Sequence, residues 1–117
     1  MDSVSFKKGL EMANYIESKE DFDSLVIKSS KPVLVDFYAD WCGPCQALSP
    51  KLEELKNQFS DQVSIVKVDV DKHQDLATNY GVRGIPAMYF FKDGEVKSQL
   101  VGNQPKDNIE GELKKLM

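Results

Sequence analysis

A chain of 117 residues, 41% hydrophobic and 29% charged, has the size and balance of one domain whose core needs no cross-links. Its formal net charge of −4 and its single arginine, Arg83, exclude the basic footprint that a nucleic-acid partner requires. No apolar run approaches the ~20 residues of a membrane-spanning helix.

Residues 1–13 show no hydrophobic period and are read as an N-terminal arm, with 14–117 as the single domain. They lack the apolar segment of an intact signal peptide, which favours the cytosol and leaves open a leader removed beforehand. Ala13-Asn14-Tyr15-Ile16 is predicted as a short strand. Ser18 offers a helix N-cap with Asp21 three residues on. Phe22, Leu25 and Val26 then give one apolar helix face, and Ser29-Ser30-Lys31-Pro32 breaks the helix.

Val33-Leu34-Val35-Asp36-Phe37-Tyr38 is nearly all apolar and β-prone, the pattern of a strand covered on both faces. Asp36 is the anomaly in it. Asp40-Trp41-Cys42-Gly43-Pro44-Cys45 follows and holds both cysteines of the chain. The next helix carries Leu48, Leu52, Leu55 and Phe59 on one side. Pro44 falls in its first turn, where a missing N–H costs little. Pro50 removes the bond to the Gln46 carbonyl, and a kink is expected there.

Val63–Val70 is a second buried strand. Asp71 is expected to cap a short helix through Leu76, Ala77 and Tyr80, ended by Gly81. Arg83-Gly84-Ile85-Pro86 is a punctuated loop, and Ala87–Phe91 is a third strong strand. Lys92-Asp93-Gly94-Glu95 signals a hairpin, with Val96–Val101 as the returning partner. Pro105 opens a last helix with Ile109, Leu113 and Leu116 on one face. The order β-α-β-α-β-α-β-β-α implies an α/β domain with a parallel part and an antiparallel hairpin.

Residues i and i+3 in a helical first turn share a face, so Cys42 and Cys45 can meet as a reversible disulfide. The helix start favours an anion, which makes Cys42 the nucleophile; it forms a mixed disulfide that Cys45 resolves. Cys45 must lose its proton first. Asp36, on the strand leading into the loop, is the candidate base, with a pKa raised by burial. It is preferred over a surface aspartate because its neighbours are apolar. Lys67 reads equally as its charge partner or as an edge lysine reaching solvent. Trp41 is read as shielding the site or touching substrate. His73 is read as a solvated loop residue, and Tyr80, Tyr89 and the phenylalanines as core. From residue type alone Ile85-Pro86 is an ordinary turn with a trans bond.

Trp41-Cys42-Gly43-Pro44-Cys45 after Val33–Phe37, with Gly81–Pro86 and Phe91–Gly94, resembles the thioredoxin family from about Tyr15 to the C-terminus, Pro50 and Gly102 included. The resemblance implies a thioredoxin fold with a mixed five-stranded sheet flanked by four helices. It implies a protein-disulfide reductase that needs no cofactor beyond the cysteine pair. Disulfide-containing proteins would be the substrates, and a flavin- and NADPH-dependent thioredoxin reductase the electron donor. It assigns Cys42 as nucleophile, Cys45 as resolving thiol, and Asp36 as proton acceptor with Lys67 beside it. It makes Ile85-Pro86 cis, with the Ile85 backbone pairing to an extended substrate segment. Trp41, Gly43, Pro44, Gly84, Pro86 and Gly102 would line the contact surface. Tyr38, Gln46 and Ala87 depart from the family's usual tryptophan, cation and threonine.

Three other readings compete. A relative on the same fold can oxidise or isomerise disulfides, although Gly43-Pro44 resembles the reducing members. Cys42 and Cys45 supply only two of the four ligands of a structural zinc site, with His73 the only further soft ligand, so a monomer cannot close such a site, whereas a dimer could. A non-redox subunit could use the Trp41 and Ile85-Pro86 surface to hold a partner. Nothing in the sequence demands more than a monomer.

Overall fold

The computed structural model describes residues 14–117. The arm expected over residues 1–13 lies outside the described residues. The strands are β1 (Asn14–Tyr15), β2 (Val33–Tyr38), β3 (Ser64–Asp69), β4 (Ala87–Lys92) and β5 (Glu95–Val101). The helices are α1 (Lys19–Phe22, continued by a wider π-type turn over Asp23–Ile27), α2 (Gly43–Gln58), α3 (Gln74–Asn79) and α4 (Lys106–Leu116).

Four strands of six or seven residues form the body of the sheet, and the two-residue β1 pairs at one edge, in the order β1-β3-β2-β4-β5. β1 and β2 both run parallel to β3, whereas β4 is antiparallel to β2 and β5. β2 is therefore central, as its continuous apolar run requires. β4 and β5 are joined by a tight turn in which Asp93 and Gly94 both have positive φ, 54° and 79°. That geometry matches the strand twist, which is why Asp-Gly occupies it.

Alternate residues of the strands serve two cores. Val33, Val35, Phe37, Val66, Val68, Tyr89 and Phe91 pack with Phe22 and Val26 of α1 and Leu76 of α3. Leu34, Ile65, Met88 and Phe90 pack with Leu48, Leu52 and Leu55 of α2 and with Ile109 and Leu113 of α4. Asp36 and Lys67, two residues beyond Leu34 and Ile65, belong to the α2 face. Tyr80 contributes to an aromatic group with Phe22, Phe37, Tyr89 and Phe91, although it is only half-buried.

Two expected details differ. Leu25 is exposed while Phe22 and Val26 are buried, because the i→i+5 turn from Asp23 to Lys28 rotates successive residues less than an α-turn would. Asp71 does not cap α3, whose N-cap is His73 without a side-chain bond. Asp69 takes the loop instead: its Oδ1 accepts from the Asp71 and Lys72 amides at 2.9 and 3.3 Å. The Ser18 cap is as expected, with Oγ accepting the Asp21 amide at 3.0 Å.

Candidate active site

The site forms where β2 ends and α2 begins. Cys42 is the N-cap of α2, with extended φ and ψ of −91° and 110°. Its Sγ accepts the Cys45 amide at 3.2 Å, so one of the helix's unpaired N–H groups points at this sulfur. Cys42 and Cys45 are joined as a disulfide, with Cα atoms 5.2 Å apart. Both are buried, at 4% and 3% exposure, so accessibility does not distinguish them. Gly43 between them has open space where a Cβ would stand.

Ile85-Pro86 is cis, as the family resemblance implied and against the expectation from residue type. The Ile85 carbonyl oxygen lies 3.9 Å from Cys42 Sγ. The disulfide sulfur has no hydrogen, so this is a contact; a reduced thiol there would have an acceptor in reach. Gly102 has a φ of 91°, which suits glycine. Its amide donates to the Pro86 carbonyl at 2.7 Å, tying the end of β5 to this loop. Gly84 lies beside Val101, 3.6 Å from a built Cβ to the valine methyl. Trp41 is 71% exposed, and its Nε1 donates to Asp71 Oδ2 at 2.8 Å. Trp41, Pro44, Gly84 and Val101 thus present an exposed rim around a recessed disulfide.

On β2, the strand that leads into the cysteine loop, Asp36 is fully buried and neither carboxylate oxygen has a hydrogen-bond partner among the described residues. Loss of solvation raises its pKa to about 7, while the positive charge of Lys67 pulls the other way. Lys67 is in register with Asp36 across β2 and β3 but turns its ammonium elsewhere. Nζ donates to Ser49 Oγ at 2.7 Å and lies 5.2 Å from the Tyr38 ring centroid and 5.8 Å from that of Tyr15. Burial and nearby acidic groups push the Tyr38 phenol upward, so it stays neutral beside the ammonium.

A cavity of about 180 Å³ opens on this side, lined by Tyr15, Tyr38, Cys45, Gln46, Ser49 and Lys67 among others. Gln46, at the position where the family usually has a cation, donates from Nε2 to the Asp40 carbonyl at 2.8 Å and fastens the loop instead. His73 is half-buried at the start of α3. Among the described residues no group of three or more His, Cys, Asp or Glu is placed to hold a metal.

Sequence reasoning missed Ser49. The available signal was its position four residues after Cys45, one turn along the same helix face; nothing in the sequence indicates that Lys67 reaches it.

The Thioredoxin family model matches residues 13–115. Thioredoxin C-2 of Corynebacterium nephridii is 50% identical over 90 residues, covering 77% of this chain and 83% of its own. Thioredoxin 1 of Synechococcus elongatus is 46% identical over 94 residues, covering 80% and 88%. Among solved structures, a single-substitution mutant of a thioredoxin from Halobacterium salinarum superposes with a TM-score of 0.82 at 39% identity, covering 89% of each chain. With a Cys-Gly-Pro-Cys pair closed at the start of α2, the chain belongs to the thioredoxin family and is a thiol–disulfide oxidoreductase that reduces disulfides through Cys42 and Cys45.

Proposed function

We propose that Cys42 attacks the substrate and that Cys45 resolves the intermediate. The Cys42 thiolate forms a bond to one sulfur of a protein disulfide, and the other sulfur leaves as a thiolate. Cys45 gives its proton to Asp36 and attacks Cys42 Sγ, closing the Cys42–Cys45 disulfide and freeing the second substrate thiolate. Two protons complete the substrate thiols, and two electrons have passed from the enzyme to the substrate. A carboxylate titrating near neutrality suits this transfer in both directions.

The observation that carries the assignment is the helix-end bond from the Cys45 amide to Cys42 Sγ, which stabilises negative charge on that sulfur rather than on its partner. The substrate segment lies against the Ile85 backbone, with Trp41, Gly43, Pro44, Gly84, Pro86 and Gly102 as the contact surface and Lys67 beside Asp36. Disulfide-containing proteins are the substrates, and a flavin- and NADPH-dependent thioredoxin reductase returns two electrons to Cys42–Cys45. The chain acts as a monomer in the cytosol, in one domain over 14–117. Among the described residues no helix is long and apolar enough to cross a membrane.

Insulin reduction by dithiothreitol, with wild type and Cys42→Ser, tests this reading together with the redox potential from glutathione equilibration. Catalysis that Cys42→Ser abolishes, at a potential well below the glutathione pool, is the expected result. A potential near or above that pool would make the chain an isomerase or oxidant on the same fold. An inactive wild type would overturn the assignment.

A further inference from the structure

Asp36 and Lys67 face each other on neighbouring strands, yet the ammonium does not hydrogen-bond the carboxylate. A buried carboxylate next to a lysine would ordinarily draw the cation into a pair, because desolvated opposite charges attract strongly. Something holds the lysine back. The structure offers a specific agent: Ser49 Oγ accepts from Lys67 Nζ at 2.7 Å, and the Tyr15 and Tyr38 rings accept the charge on their faces. Ser49 is itself fixed, since its hydroxyl reaches the Cys45 carbonyl at 3.5 Å one turn back along α2. The cavity lined by Tyr15, Tyr38, Cys45, Ser49 and Lys67 gives the ammonium room on that side.

We propose that Ser49 is a positioning residue of this active site: its hydroxyl anchors the Lys67 ammonium on the tyrosine side of the cavity and keeps it off the Asp36 carboxylate. Ser49 touches neither substrate nor the reacting sulfurs; it acts through Lys67. The inference rests on Asp36 being the proton acceptor for Cys45. The titratable groups around Asp36 and Lys67 are Lys67 itself and Asp69 on β3, Tyr38 two residues along β2, Tyr15 on β1, and Glu53 and Lys56 of α2 on the Lys67 side; Asp69 is fixed by the Asp71 and Lys72 amides, and across β4 the neighbour is Met88. Tyr38 stays neutral in the working range, which leaves Lys67 as the movable charge. A Lys67 released from Ser49 swings to the carboxylate, stabilises its ionised form, and makes Asp36 a weaker base for Cys45.

The test is the titration midpoint of Asp36, read by carboxyl carbon NMR in the oxidised protein, where the cysteines carry no dissociable proton. In Ser49→Ala the midpoint is expected to fall by about 1 pH unit, the lower end of what an adjacent cation does to a carboxylate. Ser49→Thr restores the wild-type value, since its hydroxyl can accept the same bond. In a Lys67→Met background, Ser49→Ala produces no further change. A midpoint that stays or rises in folded Ser49→Ala overturns the proposal, as does a fall that persists without Lys67. The acidic limb of the pH profile for insulin reduction moves down with the midpoint if Asp36 serves Cys45. An unmoved limb alongside a moved midpoint would place the failure in the role of Asp36 and not in the anchoring by Ser49.

Discussion

The Cys42 sulfur meets backbone groups of two loops: it accepts from the Cys45 amide at 3.2 Å and lies 3.9 Å from the Ile85 carbonyl oxygen, 43 residues away. The donor favours a thiolate on Cys42, the sulfur proposed above to attack. Among the described residues no backbone amide donates to the Cys45 sulfur, so the two cysteines differ in hydrogen bonding despite equal burial.

That inequality predicts a trapped intermediate. Cys45→Ser retains the attacking sulfur but cannot resolve, so it is expected to accumulate a mixed disulfide with an oxidised protein substrate. Cys42→Ser should form little of this adduct. Mass spectrometry after acid quenching distinguishes them, and equal adduct from both variants would refute the assignment.

Asp36 couples protonation to stability. Its pKa is raised from 3.8 to about 7 in the folded chain, so between these values the native state binds more protons than the unfolded one. Stability therefore falls as pH rises from about 4 to about 7 on account of this group, and is level above that. The full cost is at most about 4 kcal/mol, at about 1.4 kcal/mol per pH unit. Asp36→Ala is expected to be more stable than wild type at pH 8, less what its cavity costs, and to lose this part of the pH dependence. Urea titrations of the oxidised protein at pH 4 and pH 8 give the comparison.

Gly94 of the hairpin turn has no room for a side chain. A Cβ on Gly94 would stand 2.9 Å from the Ile27 carbonyl oxygen, at a φ of 79°. Gly94→Ala should cost about 1–3 kcal/mol, seen as a lower urea midpoint at unchanged slope. Gly43→Ala, which meets open space, should cost less.

The indole of Trp41, proposed above to contact substrate, donates to Asp71. With 71% of the residue exposed, water replaces the lost acceptor in Asp71→Ala, and stability should change by less than about 1 kcal/mol. The freed ring should raise KM for protein disulfides while leaving reduction by small thiols unchanged. Steady-state insulin kinetics set against the rate with dithiothreitol would separate the two effects.

Much of this architecture is readable from residue order, because it rests on local periodicity. Val33–Tyr38 had to be a covered strand, Asp-Gly had to turn, and Leu48, Leu52 and Leu55 had to face the sheet; each depends on residues a few positions apart. Periodicity misplaces Leu25 because it assumes α-helical turns, and the chain makes a wider i→i+5 turn from Asp23 to Lys28. It also makes Asp71 look like a helix cap, because the competing carboxylate, Asp69, differs from it only in where the strand ends. The cis bond at Ile85-Pro86 follows from the family resemblance and not from its residue type.

By itself the sequence determined the order of elements, the central placement of β2, and a dithiol at a helix start with a buried carboxylate behind it. Hydrophobic periodicity and turn chemistry act over a few residues and need no further information. Only the tertiary structure decided which partner each polar group found: Ser49 for Lys67, 18 residues away, and Asp71 for Trp41, 30 residues away. Those choices depend on the side-chain directions that packing α2 and the β3–α3 loop against one sheet imposes.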